Sequence, residues 1–202
     1  TSSVFPDAAS KVISKHPGPA CRFCFHGLCP GDLQDQAESW FRSRALAKLQ
    51  ELDVGYTSCD ERNPGRNPLP PSALRSAPTL LVAKISCCDL PREMVPSMGF
   101  DLLQRLSLIS VYISADVFRG LLPACHALES LCMVQVHAAG GCLRVCSTIR
   151  SIAFRDSSPE KTELVLEDAP RLERLLSGLL GHLNWRYSGL SHPARANSRS
   201  SR

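Results

Sequence analysis

The residues best suited to chemistry are ten cysteines and six histidines in a chain of 202 residues. Their densest cluster is Cys21-x-x-Cys24-x-His26-x-x-Cys29, which offers the sulfur and nitrogen donors that tetrahedral zinc takes. Zinc fingers place two ligand pairs apart, with a loop or helix between them. Here all four candidates fall within nine residues, on a segment, CRFCFHGL, that reads as a strand. Alternate strand residues share a face, so Cys21 and Cys24 are expected on opposite sides, and the spacing weighs against zinc. A thiolate nucleophile needs a facing base, and the adjacent pair Cys125 and His126 cannot face each other. His137 and His182 have no acid at useful spacing, and the chain holds no phosphate-cradling glycine loop or carboxylate pair. No catalytic residue, cofactor or metal ligand is expected, and the chain is not expected to be an enzyme.

The other cysteines, Cys59, Cys87, Cys88, Cys125, Cys132, Cys142 and Cys146, fall at predicted strand ends, loops and helix ends. Secreted proteins bridge such residues, but TSSVFPDAAS has no initiator Met, basic segment or apolar segment of a secretory signal. Reduced thiols in the cytoplasm or nucleus are therefore expected. The opening reads as the interior of a longer protein.

What positions these residues is a repeated apolar spacing. Between Leu103 and Asp156 an apolar residue is followed three times by others at +3 and +5: Leu103/Leu106/Leu108, Leu128/Leu131/Met133 and Ile149/Ile152/Phe154. In a strand, +3 and +5 share one face while +4 looks out. The spacing extends upstream to Leu80/Ala83/Ile85 (continuing to Cys88 and Leu90), to Leu49/Leu52/Val54 and to a weaker Ala20/Phe23/Phe25. Downstream stand Leu172/Leu175, with no sixth position to match. Starts at Leu49, Leu80, Leu103, Leu128, Ile149 and Leu172 are 31, 23, 25, 21 and 23 residues apart. Four of these intervals fit the roughly 20–29-residue period of leucine-rich repeats, whose L-x-x-L-x-L core this is. The expected fold is an α/β solenoid of about six repeats, with short parallel strands on the concave face and helices or irregular turns on the convex face.

Within each period a helix should alternate with a strand. Asp7 is a candidate N-cap for a helix to Lys15, Asp32 for one carrying Leu33, Ala37, Trp40, Phe41 and Leu46, and Asp116 for one that Pro123 stops. Residues 57–72, TSCDERNPGRNPLPPS, are an inserted loop and account for the 31-residue interval. Helical character returns at Ser72–Ala77, ELVLED reads as a strand, and APRLERLL as an ambiguous half-repeat. The repeat domain is thus placed at 1–176, and 177–202 as a basic tail expected to be disordered.

Net charge is +4, from 23 basic and 19 acidic residues. The tail holds Arg186, Arg195, Arg199 and Arg202 and no acid, so the remaining body is neutral. A neutral body argues against nucleic acid or an anionic membrane as partner, and no apolar run reaches the roughly 18 residues of a span. A protein partner on the concave face is expected. Outward positions there are Glu51, Asp53, Tyr56, Lys84, Ser86, Arg105, Ser107, Ile109, Cys132, Gln135, Arg155 and Asp156. Tyr56, Arg105 and Arg155 are the expected anchors, since aromatic residues and Arg dominate hot spots.

The segments HPGPACRF, GLCPGDL, SRALAKLQELDVGY, LPPSALRSAPTLLVAKISCCDLP, VFRGLLPACHALESL, GCLRV and ELVLEDAPRLERLL closely resemble the repeat region of plant F-box/LRR proteins. The grass group with an FBD-type C-terminal region is the nearest likeness, over about residues 7–176. The resemblance implies a substrate receptor of an SCF ubiquitin ligase, in which an F-box binds the Skp adaptor and the repeats recruit the protein to be ubiquitinated. An F-box is absent from this sequence, and the FBD-like continuation is replaced by the basic tail, so the chain is expected to lack adaptor docking. Three alternatives remain: a truncated paralogue without ligase function, a secreted or receptor-type repeat domain, which requires bridged cysteines, and a small cysteine- or zinc-dependent protein.

Overall fold

Alternation along each strand sends two apolar side chains inward, and the computed structural model stacks these pairs into one continuous core. It describes residues 4–28, 33–56, 67–90, 92, 99–139, 142–145, 149–156, 162–167, 169–177 and 185–188. The main sheet consists of β1 (Arg22–Leu28), β2 (Glu51–Tyr56), β3 (Val82–Ser86), β5 (Arg105–Ile109), β7 (Ser130–Val134), β10 (Ser151–Arg155) and β12 (Arg174–Ser177). All pairings are parallel, and every strand lies beside the preceding strand of this sheet. Sequential stacking of this kind makes a solenoid, with the main sheet as the inner face of a leucine-rich-repeat fold.

The register runs straight through the predicted triplets. One buried row is Leu52, Ala83, Leu106, Leu131 and Ile152, and the next is Val54, Ile85, Leu108, Met133 and Phe154. The leading residues Leu49, Leu80, Leu103, Leu128 and Ile149 form a third row, none more than 2% exposed. A slip of one residue would turn both strand rows to solvent, so burial itself fixes the register. The weak triplets also hold their places. Phe23 and Phe25 pair with Leu52 and Val54, and Leu175 pairs with Ile152, at the two ends of the sheet.

At the eighth position of the repeat the chain leaves the sheet. Cys87, Ser110 and Gln135 there have φ of 53°, 52° and 53°, a left-handed conformation that costs a non-glycine residue roughly 1–2 kcal/mol. Each offsets this cost with a backbone bond to the next strand. Cys87 N donates to Ile109 O at 2.8 Å, Ser110 N to Val134 O at 2.7 Å and Gln135 N to Arg155 O at 2.7 Å. The following residues, Cys88, Val111 and Val136, are completely buried. A second parallel sheet follows, of β4 (Asp89–Leu90), β6 (Tyr112–Ser114) and β8 (His137–Ala139).

The outer layer departs from the expected helix in every period. Helices serve the earlier repeats: α1 (Val4–Lys15), α2 (Leu33–Arg42), 3₁₀ turns at Arg44–Leu46 and Pro71–Thr79, and α3 (Ala115–Leu121). Later repeats use strands instead, β9 (Cys142–Val145), β11 (Glu163–Glu167) and β13 (Trp185–Ser188), which form a third parallel sheet. Chain economy explains the change. An extended residue advances about 3.3 Å against 1.5 Å in a helix, so the 21-residue interval from Leu128 closes with a strand where the 25-residue interval from Leu103 holds α3.

Two expected caps also move. Ser114 caps α3, its hydroxyl accepting from Val117 N at 3.2 Å, while Asp116 lies in the first turn and pairs with Arg119. Asp7 lies inside α1, and Asp32 falls outside the described residues. Of the inserted loop, residues 57–66 fall outside the described set, whereas Asn67 and Leu69 are buried. Of the expected tail, the residues past Ser177 other than β13 are likewise not described.

Burial sets the chemistry of two thiols. It pushes Cys88 up to about 12, helped by the charge of Asp89 and opposed by backbone hydrogen bonds at Tyr56 and Ser86. Cys125 is also pushed up to about 12, by burial.

Two predictions follow from this packing. Leu108→Ala, in the middle of the second row, should destabilise the fold by about 2–5 kcal/mol, and outward Ser107→Ala by about 0.5 kcal/mol or less, both read by urea denaturation. Because the raised thiols stay protonated in the folded state, stability is full below about 9 and is lost as pH rises toward about 12. Thermal melts across that window should fall less steeply in Cys88→Val/Cys125→Val than in the parent.

Candidate protein-binding face

Three rows of outward side chains cross the main sheet. The first runs Arg22, Glu51, Val82, Arg105, Ser130, Ser151, Arg174. The second runs Cys24, Asp53, Lys84, Ser107, Cys132, Ala153, Leu176. The third runs His26, Gly55, Ser86, Ile109, Val134, Arg155.

At the β1 end the charges are matched among themselves. Arg22 Nε lies 3.5 Å from Glu51 Oε2. His26 Nε2 donates to Asp53 Oδ1 at 2.6 Å, and Lys84 Nζ donates to Asp53 Oδ2 at 3.3 Å. Gly55 makes the histidine contact possible. A Cβ there would stand 2.7 Å from Ser86 O, 2.9 Å from Ser86 Cβ and 3.2 Å from His26 Nδ1. Without a side chain at the neighbouring position, the imidazole reaches across to β2.

From β5 onward the face changes character. Ser107, Cys132 and Ala153 make a low central floor, half-buried, with Ile109 and Val134 beside it and Leu176 exposed at its end. Burial raises the Cys132 thiol above its usual range. Arg105, Arg155 and Arg174 stand exposed around this floor, and none forms an ion pair with a described residue.

Of the expected binding residues, Glu51, Asp53, Lys84, Arg105, Ser107 and Arg155 lie on this face. Tyr56 does not serve as an anchor. It is 4% exposed, and its hydroxyl donates to Pro68 O at 2.7 Å. Gln135 adopts the left-handed turn and accepts from Ser110 Oγ at 3.3 Å, and the Asp156 carboxylate accepts from Thr162 N at 2.7 Å. Gln135 and Asp156 follow the last residues of β7 and β10, where strand alternation has ended, and Tyr56 is buried as the last residue of β2, whose in–out pattern stops at Val54. Arg22, Cys24, His26 and Arg174 join the face in addition. The same alternation would have found them had the two weak end triplets been carried through.

The cysteine and histidine pairs considered for chemistry separate. Cys125 is buried and its Sγ donates to Leu121 O at 3.2 Å, whereas exposed His126 lies 3.7 Å from Asp101. His137 stacks on Tyr112 with ring centroids 4.5 Å apart, and His182 is outside the described residues. Cys21 is exposed just before β1, and Cys29 lies outside the described set. Contrary to the expectation of reduced cysteines throughout, Cys87 is disulfide-bonded. The other six described cysteines are free thiols.

Residues 37–188, well over half of the chain, match the family described as "FBD-associated F-box protein At5g56370, LRR repeats". No curated protein and no solved structure matches the chain.

Gly55→Ala should cost about 1–3 kcal/mol, as overpacking does where backbone is the obstacle. Gly18→Ala, with open space around its Cβ, is the control, and urea midpoints of the two variants compare them.

Proposed function

The chain belongs to the leucine-rich-repeat family of FBD-associated F-box proteins, and we propose that it recruits a protein substrate to an SCF-type ubiquitin ligase through its inner face. Solenoids of this family are protein-interaction modules: each repeat adds one strand to an extended surface. The observation that carries the reading is the β5–β12 half of that surface. Arg105, Arg155 and Arg174 ring a low floor of small and apolar side chains without ion partners among the described residues. At the β1 end, by contrast, the charges neutralise one another. A protein segment with acidic groups and an apolar side chain for the floor fits this half best, because unpaired guanidiniums offer bidentate bonds to carboxylates.

In this role the chain works in the cytoplasm or nucleus. A Skp-type adaptor would be engaged only through an F-box upstream of the repeats in the same gene product, and reading the upstream coding sequence tests that element. The disulfide at Cys87 favours a second reading, a secreted or receptor-type repeat domain. Disulfide mapping of native protein with its thiols blocked at lysis separates the two, since a cytoplasmic receptor should yield Cys87 as a thiol.

Arg105→Glu should weaken partner capture about tenfold or more, as loss of an interfacial Arg anchor does, while the thermal melt stays at that of the parent. Capture from cell extract, quantified by mass spectrometry beside a melt, reads both. Loss of capture together with loss of fold, or capture unchanged, would reject the assignment of this face.

A further inference from the structure

We propose that Cys24, His26 and Asp53 form a site for a divalent transition-metal ion of the zinc class. The site stands at the β1 end of the inner face, apart from the arginine-ringed floor, and does not depend on the ligase reading. Cys24 and His26 are two residues apart on β1 and so point to the same side. The parallel register sets Asp53 of β2 directly opposite Cys24. Sulfur, nitrogen and oxygen ligand atoms of the three residues all lie within 4.8 Å of one another. A tetrahedral ion with bonds of about 2.0–2.3 Å holds its donors roughly 3–4 Å apart, so side-chain rotation alone closes the set.

The surroundings fit such an ion. Gly55 leaves the space through which the His26 ring approaches Asp53. Lys84 holds the second carboxylate oxygen of Asp53 at 3.3 Å and orients the first toward the histidine, the kind of supporting contact that tunes a metal ligand. β1 is an end strand of the sheet, and Cys24 and His26 are exposed, so an ion has a route in. Thiolate and imidazole together select zinc, cobalt and related ions over magnesium or calcium, which take oxygen. Binding releases the Cys24 thiol proton to solvent, while the His26 ring proton passes to Nδ1 as Nε2 turns from Asp53 to the ion. Three protein ligands leave the fourth position to water or to a side chain from a partner. This set differs from the run Cys21, Cys24, His26, Cys29 that the sequence suggests, because it takes its third ligand from the neighbouring strand.

Cobalt(II) titration of the full reduced chain tests the assignment. One equivalent should bind, with the intense visible bands of a tetrahedral ion and a thiolate-to-cobalt charge-transfer band, both abolished by excess zinc. Cys24→Ser should remove the charge-transfer band, and His26→Ala and Asp53→Asn should each raise the Kd for cobalt about tenfold or more, the scale on which loss of metal-site groups acts. Lys84→Met, which removes the contact that orients the Asp53 carboxylate, should raise the Kd as well. Cys21→Ser should leave spectrum and affinity unchanged. All five substitutions are at surface-accessible positions, and urea midpoints check that each variant folds. A charge-transfer band that survives Cys24→Ser, one lost in Cys21→Ser, cobalt affinity indifferent to His26→Ala and Asp53→Asn in folded protein, or no binding at all would overturn the proposal.

Discussion

Two apolar side chains per strand, at the fourth and sixth positions of the repeat, must both face inward, and a parallel neighbour must present its own pair at the same height. From that constraint the rest of the molecule follows. Leu106 and Leu108 are covered on one side by Ala83 and Ile85 and on the other by Leu131 and Met133, and every one of the six is at most 2% exposed. No repeat buries its own pair alone, so each strand completes the core of its neighbours and stability accumulates along the array. The ends show what incompleteness costs: Phe23, Phe25 and Leu175, with a partner strand on one side only among the described residues, are less thoroughly buried.

Keeping the strands in step requires the chain to leave the sheet at the same height each time. The left-handed residues at Cys87, Ser110 and Gln135 do this without a glycine. Their conformation is held from the next repeat, whose last strand carbonyl accepts each N–H. The turn therefore depends on the array as the array depends on the turn. Once past it, the route back is loosely constrained, and helices, 3₁₀ turns and strands all serve. That freedom lets interval lengths vary from 21 to 31 residues while the register from β2 to β12 stays unbroken.

This division explains what the sequence discloses. The inward rows are local alternation and can be read residue by residue, even at the weak triplet Ala20/Phe23/Phe25. The turn residue is not legible, because nothing in Cys87, Ser110 or Gln135 announces a positive φ and the bond that holds it comes from some 22 residues downstream. Gln135 is misread for that reason, Asp156 because it follows the last residue of β10, and Tyr56 because burial at the end of β2 breaks the in–out alternation. Caps shift for a smaller reason. Ser114 and Asp116 are both good N-caps two residues apart, and local preference does not decide between them. Of the outer strands, β11 is legible as ELVLED, whereas β9 is a short run that periodicity alone does not separate from helix.

The distribution of charge on the inner face is a finding of a different order, since it depends on which strands become neighbours. Asp53 meets His26 and Lys84 only because β2 lies between β1 and β3 in register. Arg105, Arg155 and Arg174 sit among serine, alanine and aliphatic positions, with no acid opposite any of them in the sheet. A solvated arginine costs the folded protein little, so nothing in the stability of the fold selects against the unpaired group. A partner carboxylate that displaced water from these guanidiniums would meet no competitor among the described residues. At the β1 end it would first have to break Arg22 from Glu51, or Lys84 and His26 from Asp53. The two ends of one continuous sheet are thus unequal as docking surfaces although their backbones repeat, and the difference lies wholly in the side chains that alternation turns outward.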